Sequence, residues 1–329
     1  MKSRPLNLEH AGPLKEKLKH TGHGFSEYCF ANLFLFRRIH DYAVVSGSRG
    51  PRGIKGRTYD DTPFFMPLFD PTRAGTAELA RLIMDFGCLY PVGRADIDKL
   101  DADRFVADHN PDDADYVYSA EKMKSYAGRK LAPKRNLMKQ FLAGHRVAVR
   151  TYQPKLQADA KAVLDQWQRE NGHPPEDTDY YSALEALGLA RELDMFGHIY
   201  YADEEPAGFV LACENTSGMC TVHFAKGIRR FKGIFPYMFN SFANAMKDRF
   251  AVYNFEQDLG KTNFRKNKQS YDPDRLLVKY RVRLRGGLDI IRVKTGKESR
   301  KPKTLTPKTF CHKTATVAYT VDAGPCARV

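Results

Sequence analysis

No two cysteines are spaced as CxxC, no apolar run approaches the roughly 20 residues of a membrane span, and no GxxxxGKS/T loop is present. The six cysteines (Cys29, Cys88, Cys213, Cys220, Cys311 and Cys326) are scattered, so neither a zinc site nor a disulfide framework is expected, and a reducing cytosol fits. The first twenty residues, MKSRPLNLEHAGPLKEKLKH, lack an apolar core, so no secretory signal is expected. These absences point away from a membrane-spanning protein, a secreted disulfide scaffold and a P-loop nucleotidase.

What is present is a basic chain of 329 residues with a net charge of +14 and 42% hydrophobic residues. That length suits two domains, and that apolar content suffices for folded cores. The charge is uneven: Arg281 to Lys313 holds eleven Lys and Arg against two acids, a net of +9. This basic tail is either a solvated segment or a contact for RNA or an anionic membrane surface.

Residues 25–39 read as a helix with Ser26 as N-cap and Phe30, Leu33, Phe34 and Arg37 on one side. SGSRGPRGIKGR (46–57) reads as a surface hairpin loop. Strands are expected at 63–69, 88–92 and 115–120, with a helix at 76–86. Pro133 fits the first turn of a further helix, with Lys130, Lys134 and Arg135 clustered at its positive end. Cations there are unfavourable unless they hold an anion or point into water.

The second half is more sharply patterned. Helices at 155–171 and 179–194 precede a hairpin at 197–214 and a strand at 220–225. A basic loop then leads into a helix bearing Phe235, Phe239, Phe242 and Met246. A strand at 251–256, the charged stretch EQDLGKTNFRKNKQSYDP (256–273) and a last strand at 276–284 follow. Hairpins mixed with β-α-β crossovers predict an α/β (α+β) fold with mixed sheets flanked by helices.

The loop RFKGIF (230–235) sits between a strand and a helix N-terminus, a general arrangement for phosphate. The element order resembles the GNAT acyltransferase fold, whose pyrophosphate loop reads Q/R-x-x-G-x-G/A. Arg230 and Gly233 match it, and Phe235 replaces the last small residue. SEYCFANLFLFR (26–37), GRKLAPKRN (128–136), VHFAKGIRRFKGIF (222–235) and EQDLGKTNFRKNKQSYDP together resemble bacterial proteins similar to the catalytic C-terminal domain of phosphatidylglycerol lysyltransferases. The resemblance covers roughly residues 20–282. It departs at Ala225, where relatives commonly carry an acid.

The resemblance implies two tandem GNAT-like domains, here 1–150 and 151–286, with the active site in the second and 287–329 as a basic tail. It also implies transfer of an aminoacyl group from aminoacyl-tRNA to a hydroxyl or amine of a lipid or small molecule, without a metal or resident cofactor. In such a reaction Glu256 and Asp258 would hold the aminoacyl ammonium. Arg265 and Lys268 would pair with phosphate, as would Lys226, Arg230, Gly233, Lys130, Lys134 and Arg135. A backbone N–H near His223–Ala225 would take the oxyanion. His223 is a general base or a structural histidine, and Asp258 serves as base only if its pKa is raised. Tyr271 stacks on a terminal adenine or packs in the core. Two other readings stand beside this one: an N-acyltransferase using acetyl- or acyl-CoA, and a non-catalytic binder of RNA or anionic surfaces. The expected location is cytoplasmic, with peripheral contact at the inner face of the membrane.

Overall fold

The computed structural model describes residues 1–286 apart from 22, 49 and 217. The expected tail at 287–329 lies outside the described residues. The first stretch runs β1 (Lys2–Pro5), α1 (Ala11–Thr21), α2 (Phe30–Leu35), β2 (Ala43–Gly47), β3 (Gly50–Arg57), β4 (Pro63–Pro67), α3 (Thr76–Phe86), β5 (Leu89–Val92), α4 (Arg94–Ile97) and β6 (Phe105–His109). It continues with β7 (Asp115–Ser119), α5 (Ala120–Ser125), α6 (Ala132–Gly144), β8 (Val147–Thr151), α7 (Gln157–Asn171), α8 (Tyr180–Gly188), β9 (Phe196–Ala202), β10 (Glu205–Glu214) and β11 (Met219–Gly227). Then come α9 (Ile234–Ala245), β12 (Val252–Asn254), α10 (Thr262–Gln269), β13 (Arg275–Leu277) and β14 (Tyr280–Leu284).

Two seven-stranded mixed sheets result, ordered β1-β2-β3-β4-β5-β14-β6 and β13-β7-β12-β11-β10-β9-β8. Each contains the same motif: an antiparallel meander (β2-β3-β4, β9-β10-β11), a helix (α3, α9), and a strand parallel to the meander's last member (β5, β12). This repeat is the tandem GNAT-like fold.

The boundary expected at residue 150 is not where the sheets divide. The chain passes to the second sheet between His109 and Asp115, and β14 returns to the first. The single strand expected at 276–284 is two strands in different sheets, broken at Val278–Lys279. The break has a physical cause: Lys279 is fully buried and its ammonium reaches Asp115 (2.6 Å), Glu27 (2.8 Å) and Gln257 (2.8 Å). Its neighbour Arg281 ties β14 to Asp113 (2.7 Å) and Asp60 (2.6 Å).

The helix expected over 25–39 is shorter, a 3-10 turn at Ser26–Tyr28 followed by α2, and Cys29 rather than Ser26 is the N-cap of α2. All six residues of α2 are buried, because the helix lies within the core that joins the two sheets. Ser182 Oγ donates to Leu35 O (3.0 Å), satisfying a carbonyl at the helix end. Most of the expected loop at 46–57 is strand β3, where Gly53 makes room for an aromatic ring: a Cβ there would lie 2.2 Å from Phe65. On the outer face of the first sheet, α3 presents Leu79, Leu82 and Ile83 to Val45, Phe65, Leu89, Val92, Phe105 and Val282. Each such side chain contributes about 1.5–3 kcal/mol of hydrophobic stabilisation. No helix among the described residues is long and apolar enough to cross a membrane.

Candidate active site where two parallel strands part

β12 pairs with β11 only through Met219, Cys220 and Thr221. From Val222 onward that edge of β11 has no strand neighbour among the described residues. The strand expected at 251–256 ends at Asn254 because its continuation turns away. Asn254 Oδ1 accepts from Glu256 N (2.7 Å), and Glu256 adopts a left-handed backbone with φ +58°. For a non-glycine residue that conformation costs on the order of 1–3 kcal/mol, and such outliers concentrate at functional sites.

The turn aims the Glu256 carboxylate back across the gap. Its Oε1 is 2.8 Å from His223 Nδ1 on β11 and accepts from Asn32 Nδ2 on α2 at 2.9 Å. The His223 side chain is fully buried, whereas that of Glu256 is 17% exposed. Both imidazole nitrogens are engaged, since Nε2 faces Cys213 Sγ at 3.0 Å and Cys29 Sγ at 3.6 Å. His223 therefore stands behind Glu256, and Glu256 is the member of the pair that meets solvent. His40 packs against Tyr42 and Tyr59, and Tyr59 is 46% exposed.

Asp258 does not join Glu256. Its side chain is 2% exposed and is held by Arg265 (Nε 2.7 Å, Nη2 3.0 Å), Tyr116 Oη (2.7 Å) and Gly260 N (2.9 Å). Burial opposes its ionisation, but the hydrogen bonds from Arg265, Tyr116 and Gly260 outweigh burial and hold the carboxyl below its usual range. That is the reverse of what a general base needs near neutrality.

The cations expected to bind phosphate are engaged within the protein. Arg265 also bonds Asp112 (2.5 Å). Lys268 donates to the carbonyls of Phe255, Glu256 and Gln257 (2.5, 3.0 and 2.6 Å), and burial lowers its pKa to about 8. Lys226 binds Asp179 (2.6 and 2.8 Å) and lies 3.6 Å from the centre of the Trp167 ring. At the start of α6, Arg135 donates to the carbonyls of Tyr126 and Gly128, and Lys134 sits 3.8 Å from the Tyr271 ring centre, with its pKa lowered to about 8 by burial. Tyr271 packs in the core against Tyr126 and Phe239. Lys130 pairs with Asp272 (2.8 Å) and Arg230 with Glu205, both at the surface, where ion pairs are weak.

Gly233 has φ +95° and faces α6 rather than open solvent. A Cβ there would lie 2.3 Å from Leu137 O. The position needs glycine for helix packing.

The expectation of no disulfide framework is corrected at one pair of cysteines. Cys29 and Cys213, 184 residues apart, are joined in a disulfide beside His223. Sequence spacing could not show this, because α2 and β10 meet only in the tertiary fold. Tyr59, His40, Asn32, Glu27, Asp115 and Lys279 were likewise invisible as site or support residues. The one available signal was that Glu27, Cys29 and Asn32 lie inside the motif SEYCFANLFLFR.

Tandem GNAT-like sheets with an acid–histidine pair across the parted strands define a protein of the acyl- or aminoacyltransferase kind. The chain belongs to the family described as phosphatidylglycerol lysyltransferase, C-terminal, whose model matches residues 19–283. No curated protein matches the sequence. Among solved structures, a conserved protein of unknown function from Bacteroides thetaiotaomicron is similar at TM-score 0.74 and 20% identity, over 87% of this chain and 100% of that one. The C-terminal domain (DUF2156) of a protein designated a lysylphosphatidylglycerol synthetase from Agrobacterium fabrum follows at TM-score 0.58 and 13% identity, covering 88% and 95%. L-PGS from Bacillus licheniformis is similar at TM-score 0.54 and 14% identity, covering 86% and 95%. At these identities the three structures speak to the fold.

Proposed function

We propose that the chain moves an aminoacyl group from aminoacyl-tRNA to a hydroxyl or amine of a lipid or small molecule. The observation that carries this reading is Glu256, held in a left-handed turn at the gap between β11 and β12 by His223 and Asn32, with its carboxylate partly open to solvent. In the reaction the acceptor oxygen or nitrogen attacks the aminoacyl ester carbonyl while Glu256 takes the acceptor's proton. The tetrahedral oxyanion lies against backbone N–H groups on the open edge of β11. Collapse expels the tRNA 3′-terminal ribose hydroxyl, which receives the proton back from Glu256. Tyr59, half-exposed beside the site, offers a ring for the terminal adenine. Lys130 and Arg230 exchange their surface acids for phosphate.

A coenzyme A donor is less well supported. At the loop that would hold its pyrophosphate, Arg229 N donates to Glu170 (2.9 Å), Arg230 pairs with Glu205, and Gly233 abuts Leu137 O. The protein's own carboxylates occupy the place of an anion there.

The test supplies tRNA charged with radiolabelled amino acids together with a lipid extract. Label should pass to an RNase-resistant, organic-soluble or small-molecule product, and treating the donor with RNase beforehand should abolish transfer. Transfer that survives that treatment, or that needs acetyl-CoA, would overturn the reading.

A further inference from the structure

We propose that Cys29, Cys213 and His223 form a zinc site when the two cysteines are in the thiol state. The three ligand atoms lie within 4.8 Å of one another, and all three residues are buried. The inference is independent of the acyl-transfer reading.

Three features of the geometry carry it. The Cα atoms of Cys29 and Cys213 are 7.5 Å apart, beyond the usual disulfide span of about 4.4–6.8 Å. An ion between the sulfurs suits that separation without drawing α2 and β10 together. Next, a zinc bound tetrahedrally to sulfur and imidazole sets the two ligand atoms about 3.6 Å apart. Cys29 Sγ is already 3.6 Å from His223 Nε2, Cys213 Sγ, at 3.0 Å, needs to retreat by about half an ångström, and the two sulfurs, once their bond is reduced, must part to about 3.8 Å. Finally, His223 is oriented as ligating histidines are. Its Nδ1–H donates to the Glu256 carboxylate at 2.8 Å, which leaves the Nε2 lone pair directed at the sulfurs. Asn32, donating to the same carboxylate oxygen at 2.9 Å, fixes the acid in turn.

Two thiolates and a neutral imidazole select a borderline-soft divalent cation such as zinc over magnesium or calcium. Binding is not a redox step: each thiol releases its proton to the buffer as its Zn–S bond forms. Three protein ligands leave the fourth tetrahedral position to water or another small donor. The ion would clamp the start of α2 to β10 and β11, and would hold His223, and through it Glu256, in place.

The test uses the full chain, with the disulfide first opened by a water-soluble phosphine, which is itself oxidised to the phosphine oxide. Zinc is added, excess is removed by gel filtration, and bound metal is measured by mass spectrometry. About one zinc per chain is expected, falling at least tenfold in the Cys29→Ser, Cys213→Ser double variant, whose fold is checked by circular dichroism. Cobalt(II) titrated into the wild type should give a near-ultraviolet thiolate charge-transfer band and the strong visible bands of a tetrahedral ion. That readout does not depend on any variant folding. Absence of both zinc and the charge-transfer band in protein that shows two more titratable thiols after phosphine treatment than before would overturn the proposal. Equal zinc in the folded double variant would do the same, because the ion would then be bound elsewhere.

Discussion

Replacing Lys279 by methionine tests whether the buried ion cluster holds the two sheets together. The ammonium is fully buried and lies 2.6 Å from Asp115 and 2.8 Å from Glu27. Removing one partner of a buried pair costs about 3–5 kcal/mol, because the other charge is left without compensation. Here one ammonium serves two carboxylates, so a loss of about 4–5 kcal/mol is expected. Urea unfolding of the full chain at pH 7.5, followed by circular dichroism and by the fluorescence of the single tryptophan, Trp167, measures it. Adding Glu27→Gln and Asp115→Asn to Lys279→Met should restore much of the loss, since the orphaned charges are gone. The deficit also depends on pH. Burial pushes the Glu27 carboxyl up to about 7, and the Asp115 charge adds to the shift against the pull of Lys279. A carboxyl with a raised folded pKa contributes stability that is complete below its unfolded value near 4.5 and is lost as pH rises through about 7. The wild type should therefore lose at most about 3 kcal/mol across that window through Glu27, and Glu27→Gln should flatten the slope. Without Lys279 the Glu27 pKa rises further, so the methionine variant's deficit should shrink at pH 5. A deficit below about 1 kcal/mol at pH 7.5, or a triple variant no more stable than the single one, would refute the reasoning.

Glu256→Gln retains an oxygen to accept from His223 and Asn32, so its thermal midpoint should stay within a few degrees of wild type while turnover falls about 10²–10⁴-fold; loss of fold with unchanged specific activity would show a structural role only. Gly233→Ala should destabilise by more than the roughly 1–3 kcal/mol of its left-handed backbone, because the new methyl meets Leu137 O, and thermal unfolding reads this directly. A neutral Gly233→Ala effect on stability would return the position to the phosphate-loop reading. The depressed Asp258 carboxyl contributes stability present above its unfolded value near 3.8 and lost as pH falls toward its folded value. Asp258→Asn should thus be less stable at pH 7 but show a shallower acid limb below about pH 4; an unchanged acid limb would mean that the Arg265 pair contributes nothing.

The repeated sheet-helix unit was legible in the second half, where apolar periodicity placed α7, β9, β10, β11 and α9 to within a few residues. In the first half β4, α3 and β5 were placed as closely, and the unit was hidden at β3, for a physical reason. β3 is rich in glycine because aromatic rings of its neighbours fill the space, so a strand has the composition of a loop. The exchange of β14 back to the first sheet was hidden in LLVKYRVRL, which reads as one alternating strand. Only the tertiary position of Asp115 and Glu27 shows that Lys279 is an interior residue at the crossing point. The same limit applied to the charged stretch at 256–273. Its acids and bases were noticed as a site, but they sort by partners that the spacing does not show: Arg265 takes Asp112 as well as Asp258, Glu256 takes His223, and Lys268 takes main-chain carbonyls of its own segment.

Those partners explain why so short a segment can carry a strained turn. From Asn254 to Asp258, four side chains are each fixed to a different part of the fold. Asn254 donates to Asp115 (2.9 Å) at the start of β7, and Glu256 meets His223 on β11. Gln257 accepts from Lys279 at the strand exchange, and Asp258 is gripped by Arg265 on α10. Lys268 then ties three successive carbonyls of the same segment. A left-handed glutamate persists only when its surroundings over-determine it, and here five separate anchors do so. The ion cluster at Lys279 and the carboxylate at the strand gap are therefore mechanically one unit, joined through Gln257. A change at Lys279 that leaves the chain folded should still lower turnover, by releasing the turn that aims Glu256, and Gln257→Ala should do so with a much smaller loss of stability than Lys279→Met. Kinetics and urea unfolding on the two variants side by side decide it: turnover that tracks stability alone would mean that the cluster supports the fold and not the aim of Glu256.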